Sequence, residues 1–469
     1  MLNVLQYFRP APHIAPLSQE KIQTNYKKFR WQVFAGLFIG YAGCCLLRNN
    51  FSLAIPYLVE QHGFSKAYLG SVFAALPLGY GLSKFFMAMI SDRSNPRYFI
   101  ATGLVLAAIF NALCGVKLAF DSFLLMFTLI FLDGWFQGMV WPASGRAMAH
   151  WFVKRERGTV MSVWNIAHNI GSGGVALLVT LGIAMFSAWH YGVFYMPSVL
   201  CLLAAVVVLF TVRDTPQSVG LPPIEEHKGE ITSKSKLHKA EKELTTKEIL
   251  FKYVLVNKYL WFLALANIFV YLVRFGAHNW APLYLTQVKG FTHEDSRLAF
   301  MLYECAAVPG TLLCGWFSDK IGSRRAPVCI ACMIATAIAV IFYWATPVGA
   351  KMHNNITLMA IGFFIHAPMM LIGVHALDLA HKKAAGTSAG LTGLFGYVGG
   401  TTLADAGFGY VANYYGWNGG FVMLLVSCLL AIFFLALTWN AGTAKVSAKE
   451  EQSVEDLYQP QPLPLVEPE

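Results

Sequence analysis

Charge is what this sequence has least of. Only 13% of its 469 residues are Asp, Glu, Lys or Arg, about half the share usual in soluble domains. With 56% hydrophobic residues, that balance excludes an ordinary soluble protein and points to a polytopic membrane protein. The chain has no G-x-x-x-x-G-K-[ST] run and no soluble stretch large enough to hydrolyse ATP, so nucleotide-driven transport is excluded. No nucleophile–base pair emerges, nor any Cys/His cluster with metal-ligand spacing, which argues against an enzyme and against a metal or other cofactor. His366 and His375, nine residues apart, do not suit chelation. Residues 1–30 are polar and broken by Pro10, Pro12 and Pro16. They hold no short apolar core with a cleavage site, so the first apolar stretch is expected to remain as a membrane helix. The nine cysteines all lie in apolar stretches and read as helix-packing residues. The net charge of +10 fits basic loops at a membrane face better than nucleic-acid binding.

What is there is a series of twelve apolar segments, at about 31–57, 67–90, 98–117, 122–147, 159–186, 189–212, 259–284, 295–317, 326–346, 356–379, 387–412 and 418–439. They are too long and too continuously apolar for barrel strands, so an all-α membrane protein is expected. The loops alternate in charge. Arg93, Arg97, Lys154, Arg155, Arg157, Lys320, Arg324, Arg325, Lys382 and Lys383 lie on one face, and only scattered lysines on the other. The basic face and both termini are therefore expected in the cytoplasm. The expected units are an N-terminal segment 1–30, a six-helix half 31–212, a cytoplasmic linker 213–258, a second half 259–439 and a disordered tail 440–469. A surface helix is expected in the linker near 238–254.

The halves repeat. Ser91-Asp92-Arg93 recurs as Ser318-Asp319-Lys320, Gly158-Thr159 as Gly386-Thr387, Gly171 as Gly399, and Arg48 as Arg274, all within two residues of one offset. Two six-helix halves of like orientation imply a pseudo-two-fold axis along the membrane normal, with a substrate site between them near the midplane. The loops after segments two and eight carry Asp92, Arg93, Asp319 and Lys320, for which a gating role is expected.

Arg48 and Arg274 lie deep in apolar segments, one per half. A cation at that depth costs roughly 2.5–3.5 kcal/mol on insertion scales and persists when it faces a partner, a cavity or an anion. Facing each other, the two guanidiniums would repel unless an anion lay between them, and their forked donors suit phosphate. The alternative is pairing with an internal carboxylate: Glu304, Asp133, Asp378 or Asp405. Tyr41 and Cys45 share a helix face with Arg48, and Tyr271 shares one with Arg274. Lys84, one turn from Tyr80, adds a third cation or snorkels to the membrane face. His168 shares a face with Trp164 and either titrates near neutrality or packs as a neutral ring. Trp141 and Tyr397 read, on their own, as packing residues.

The sequence resembles the organophosphate:phosphate antiporters, a branch of the major facilitator superfamily. The similarity runs from about residue 1 to 440. Its motifs include RPAPH (9–13), YLVEQ (57–61), SDRSNPR (91–97), GWFQG (134–138), WN (164–165), AHN (167–169), DTPQS (214–218), GTLLCG (310–315), HAL (375–377), KKAAGT (382–387) and GLFGY (393–397). The resemblance implies twelve helices in two pseudo-symmetric halves and exchange of an organophosphate, glycerol-3-phosphate first, for inorganic phosphate by rocker-switch alternating access. It implies that Arg48, Arg274 and His168 bind phosphate, and that Tyr41, Tyr80, Lys84, Gln137, Trp141, Trp164, Asn165, Tyr271 and Tyr397 surround the pore. Glu304 matches an acid that pairs within the site. Cys45 and His366 stand where family members that carry glycerol-3-phosphate have tyrosines, and Asn49 where a lysine often follows the arginine. A hexose phosphate or phosphoglycerate therefore stays possible as substrate, and so does a sugar-phosphate sensor. The acids Asp133 and Asp405 leave room for proton symport. A bacterial inner-membrane location follows from the resemblance, and no segment demands a second copy, so a monomer is expected.

Overall fold

The computed structural model describes residues 8–91, 94–228, 251, 254–321, 324–379 and 385–441. The expected linker helix near 238–254 and the tail beyond 441 fall almost wholly outside them, as do Asp92 and Arg93. Among the described residues every regular element is a helix.

Ten helical stretches are long and apolar enough to cross a membrane. The second and eleventh passes are helical too, but segmented. The second is Lys66–Phe73 followed by Ala75–Ser91. The eleventh is Ala385–Leu394, two π-helical stretches, Phe395–Thr401 and Leu403–Gly407, and Phe408–Tyr414. The first pass begins earlier than its hydropathy suggests, at Gln19 rather than 31. Tyr26 explains this: it is buried, donates to the Pro222 carbonyl at 2.5 Å and stacks on His227 at 4.1 Å. The polar start of the helix is thus held by the segment after pass six. The same pass breaks once, at Asn49, between Gln19–Arg48 and Asn50–His62. Arg48 therefore closes a helical segment, where unsatisfied carbonyls favour a cation.

The repeat seen in the sequence is present in the packing. Pro56 in pass one and Pro282 in pass seven lie inside helices at matching positions. Gly171 packs on pass one so closely that a Cβ would lie 2.3 Å from the Ala42 carbonyl oxygen, and Gly400 repeats this against Ile268 at 2.3 Å. The packing counterpart of Gly171 is thus Gly400, one residue beyond the Gly399 expected from the sequence offset. The π-helical turns supply the reason, since each wider turn takes up an extra residue.

The halves meet from the midplane to the end opposite the termini. There Arg297 donates to Thr180 at 2.9 Å and to the Tyr57 hydroxyl at 2.9 Å, and Glu60 pairs with His293 at 3.1 Å. Lys66 reaches the Ala412 carbonyl at 3.5 Å and lies 4.5 Å from the Trp417 ring. At the end holding the termini, the ion pairs among the described residues stay within one half. Arg30 bonds Glu156 at 2.5 Å, Arg146 bonds Asp214 at 3.2 Å, and Arg325 joins Asp319 (2.5 Å) to Asp378 (3.1 Å).

Candidate functional site

Both intramembrane arginines are buried, Arg48 at 3% exposure and Arg274 at 1%. Neither pairs with a carboxylate among the described residues. Arg48 Nε donates to Gln137 Oε1 at 3.3 Å, its guanidinium lies 4.1 Å from the Tyr80 ring centre, and its Nη1 has no partner. Gln137 in turn donates to Asp133 Oδ1 at 2.9 Å. Asp133 thus meets Arg48 only through an amide, so the arginine keeps most of its charge for a ligand.

Arg274 Nη2 donates to His168 Nε2 at 2.8 Å, its Nη1 faces the Met369 sulfur, and its guanidinium lies 4.6 Å from the Phe275 ring. On its other edge, His168 Nδ1 lies 3.3 Å from Cys45 Sγ, one turn before Arg48. Arg274 is thus joined through His168 to Cys45, on the helix of the opposite half that carries Arg48. Trp164 fixes the histidine's helix by donating to the Leu37 carbonyl at 3.0 Å, and Tyr41 stacks on Trp164 at 4.3 Å. An aromatic wall completes the chamber. Tyr397 meets Tyr80 edge-on at 4.8 Å and Tyr271 at 5.1 Å. Lys84 does not snorkel outward; its ammonium lies 4.2 Å from Trp141 and 5.5 Å from Tyr397.

Glu304 takes a different partner from those considered in the sequence. Its Oε2 accepts from Asn169 at 2.9 Å, while His278 and His366 stand 3.7 and 3.9 Å from the carboxylate. Asp378 faces Arg325 at the membrane end, not an arginine of the midplane. Asn165 is exposed, one residue round the helix from Trp164, and is not brought to the arginines. Asp319 pairs with Arg325 inside the second half, and Lys320 lies 4.9 Å from Trp316. In this state Asp319 ties two helices of one half, and Lys320 lies against a ring of its own helix.

A profile of the Major Facilitator Superfamily matches residues 37–404. The chain belongs to this superfamily. It is 57% identical over 444 residues to the "Glycerol-3-phosphate transporter" of Bacillus subtilis, covering 94% of this chain and 99% of that one. It is 47% identical to the "Glycerol-3-phosphate transporter" of Haemophilus influenzae, covering 91% and 94%. A solved bacterial homologue of the human lysosomal transporter Spinster shares the fold, with a TM-score of 0.66 at 16% identity over 88% of this chain and 96% of that one. This member of the major facilitator superfamily is a membrane transporter, not an enzyme.

The sequence reading missed Asn49, Asn279 and Met369 as lining residues. It noted Asp405 only as an acid. Asn49, Asn279 and Asp405 line one small cavity with Arg48, Tyr80 and Tyr397. Asn279 gave no signal in the sequence, since five residues after Arg274 on an unbroken helix it is turned about 140° away from it. Asn49 was masked by its neighbour, because adjacent residues on a straight helix point apart; the break at Asn49 removes that rule.

Proposed function

We propose that this transporter exchanges an organophosphate, glycerol-3-phosphate first, for inorganic phosphate by alternating access. The observation that carries the reading is the pair of buried guanidiniums, one from each half, with no carboxylate partner among the described residues. Two like charges held in low dielectric repel, and a phosphate between them turns the repulsion into attraction. Closing around the loaded site is then easier than closing around the empty one, which favours exchange over one-way flux. The names of the relatives support glycerol-3-phosphate as the organic partner.

With the basic loops and termini in the cytoplasm, the contacts around Arg297 and Glu60 close the outer end, and the state described is inward-facing. The halves 31–212 and 259–439 rock about the midplane, with 213–258 as the cytoplasmic linker. Arg48, Arg274 and His168 hold the phosphate; Gln137, Tyr41 and Trp164 position them. Lys84, Tyr80, Trp141, Tyr271 and Tyr397 form the pore wall, and Asp92, Arg93, Asp319 and Lys320 gate its inner end. The transporter works as a monomer in a bacterial inner membrane.

Uptake of labelled glycerol-3-phosphate into proteoliposomes tests this. Uptake only into vesicles loaded with phosphate is expected. Equal uptake into empty vesicles would overturn exchange. Phosphate exchange that glycerol-3-phosphate cannot compete with would discard the substrate and turn to hexose phosphate or phosphoglycerate. No flux of either, in folded protein, would favour a sensor.

A further inference from the structure

The cavity beside Arg48 contains more unmet polar capacity than a phosphate needs. Arg48 Nη1 is unpartnered there, as expected for a phosphate donor. The other lining residues add Asn49 Nδ2, a donor, and Asn279 Oδ1 and Asp405 Oδ2, two acceptors, all without a partner. Asn49, Asn279 and Asp405 are each at most 2% exposed. Buried polar atoms are nearly always paired, by protein, water or ligand. Asn279 Nδ2 already donates to Asp405 Oδ1 at 2.8 Å, which fixes the amide's orientation and leaves Asn279 Oδ1 and Asp405 Oδ2 as spare acceptors on two residues that line the same cavity.

The unprotonated oxygens of a phosphate cannot satisfy these acceptors, since a carboxylate and an amide oxygen only accept and need an O–H or N–H opposite them. A metal cation is disfavoured by the Arg48 charge in the same cavity. A hydroxyl satisfies both kinds of group at once: its proton donates to Asp405 or Asn279 and its oxygen accepts from Asn49. In this state the space admits about one water, which is the size of a single hydroxyl group.

We infer that Asn49, Asn279 and Asp405 form the subsite that reads the hydroxyls of a short polyol phosphate, with its phosphate on Arg48. The assignment rests on the transport reading above and adds the origin of its selectivity. A site built to hydrogen-bond a hydroxyl rejects the analogue lacking it, because its own buried groups are then left unpaired.

The test compares glycerol-3-phosphate with n-propyl phosphate, which has the same three carbons and no hydroxyls. Each competes against exchange of labelled phosphate in proteoliposomes. The parent is expected to prefer glycerol-3-phosphate by about tenfold or more. Asp405→Asn and Asn49→Ala are expected to bring that ratio several-fold closer to one. A parent that treats the two competitors alike, or a ratio that holds in both variants, overturns the subsite. The parent measurement decides even where a variant fails to fold. A parent that exchanges no phosphate removes the transport reading instead, so the two failures are distinguishable.

Discussion

His168 Nε2 accepts a hydrogen bond from Arg274 Nη2 at 2.8 Å, although the two residues belong to opposite halves. A guanidinium has donors only, so the imidazole must present a lone pair at Nε2 and hold its proton at Nδ1, facing Cys45 Sγ at 3.3 Å. The two halves are thus joined at this point through a neutral ring. In the proposed exchange, a phosphate arriving at Arg274 would take the donor that here serves His168 and free that lone pair to accept a proton.

His168→Gln separates these roles. Glutamine can still accept from Arg274, but it cannot titrate. The pH profile of phosphate exchange is expected to differ in shape between parent and variant, since the titration of the substrate is common to both and only the parent adds an imidazole. Profiles of the same shape in parent and variant would remove the proton from the mechanism.

Replacing either guanidinium by an ammonium tests the forked contact. Arg48→Lys keeps the charge but loses the arrangement that lets Nε hold Gln137 while Nη1 stays free. Arg274→Lys likewise loses the bidentate reach. Charge-assisted hydrogen bonds are worth about 1.5–3 kcal/mol, so exchange by either variant is expected to fall at least about tenfold. Near-normal uptake would sink the site assignment.

The arginines were legible in the sequence because an intramembrane cation is rare, and the internal offset made them a pair. The passes were legible because length and hydropathy suffice. What sequence could not supply was the partner of each charge. Glu304, Asp133, Asp378 and Asp405 all stood as candidates for the two arginines, yet Asp378 faces Arg325 and Glu304 faces Asn169. Such choices depend on helix rotation and on local breaks, and two of these surround the site. The break at Asn49 turns that residue into the cavity, and the π-helical turns shift the register of pass eleven by a residue. Neither break leaves a hydropathy signal. The start of pass one at Gln19 was hidden for another reason: polar residues there are held by Pro222 and His227, far away in sequence.

The end that holds the termini offers a pH test outside the membrane-spanning segments. Partial burial pushes the Glu156 carboxyl up, but Arg30 at 2.5 Å and Lys228 at 3.4 Å outweigh it and hold the group below the usual carboxylate range. A depressed carboxyl stabilises the fold above its unfolded value, about pH 4.3, and loses that contribution as pH falls through the folded value. The carboxylate is partly exposed, so the gain is below about 1 kcal/mol. Glu156→Gln is expected to lower the thermal midpoint by about a degree or less at pH 7, with the gap closing toward pH 3. A gap of equal size at both pH values would show that the loss is packing and not charge.

Gly70 is the sharpest steric test of alternating access. A Cβ there would lie 2.3 Å from the carbonyl oxygen of Asp405 and 3.1 Å from the Trp280 ring, both in the other half. Contacts that close cannot be absorbed by a backbone carbonyl, so Gly70→Ala must keep the halves apart at that end. Alternating access needs that end to close once in every cycle, whereas ligand binding from the open side does not. Exchange is therefore expected to fall at least about tenfold, while spin labels at His62 and Glu294, with exposed Cys305 replaced, report a longer separation across the same end. Gly145→Ala supplies the control, since a Cβ there meets nothing within 4 Å. Normal exchange by Gly70→Ala with an unchanged label distance would mean that this closure is not part of the transport cycle.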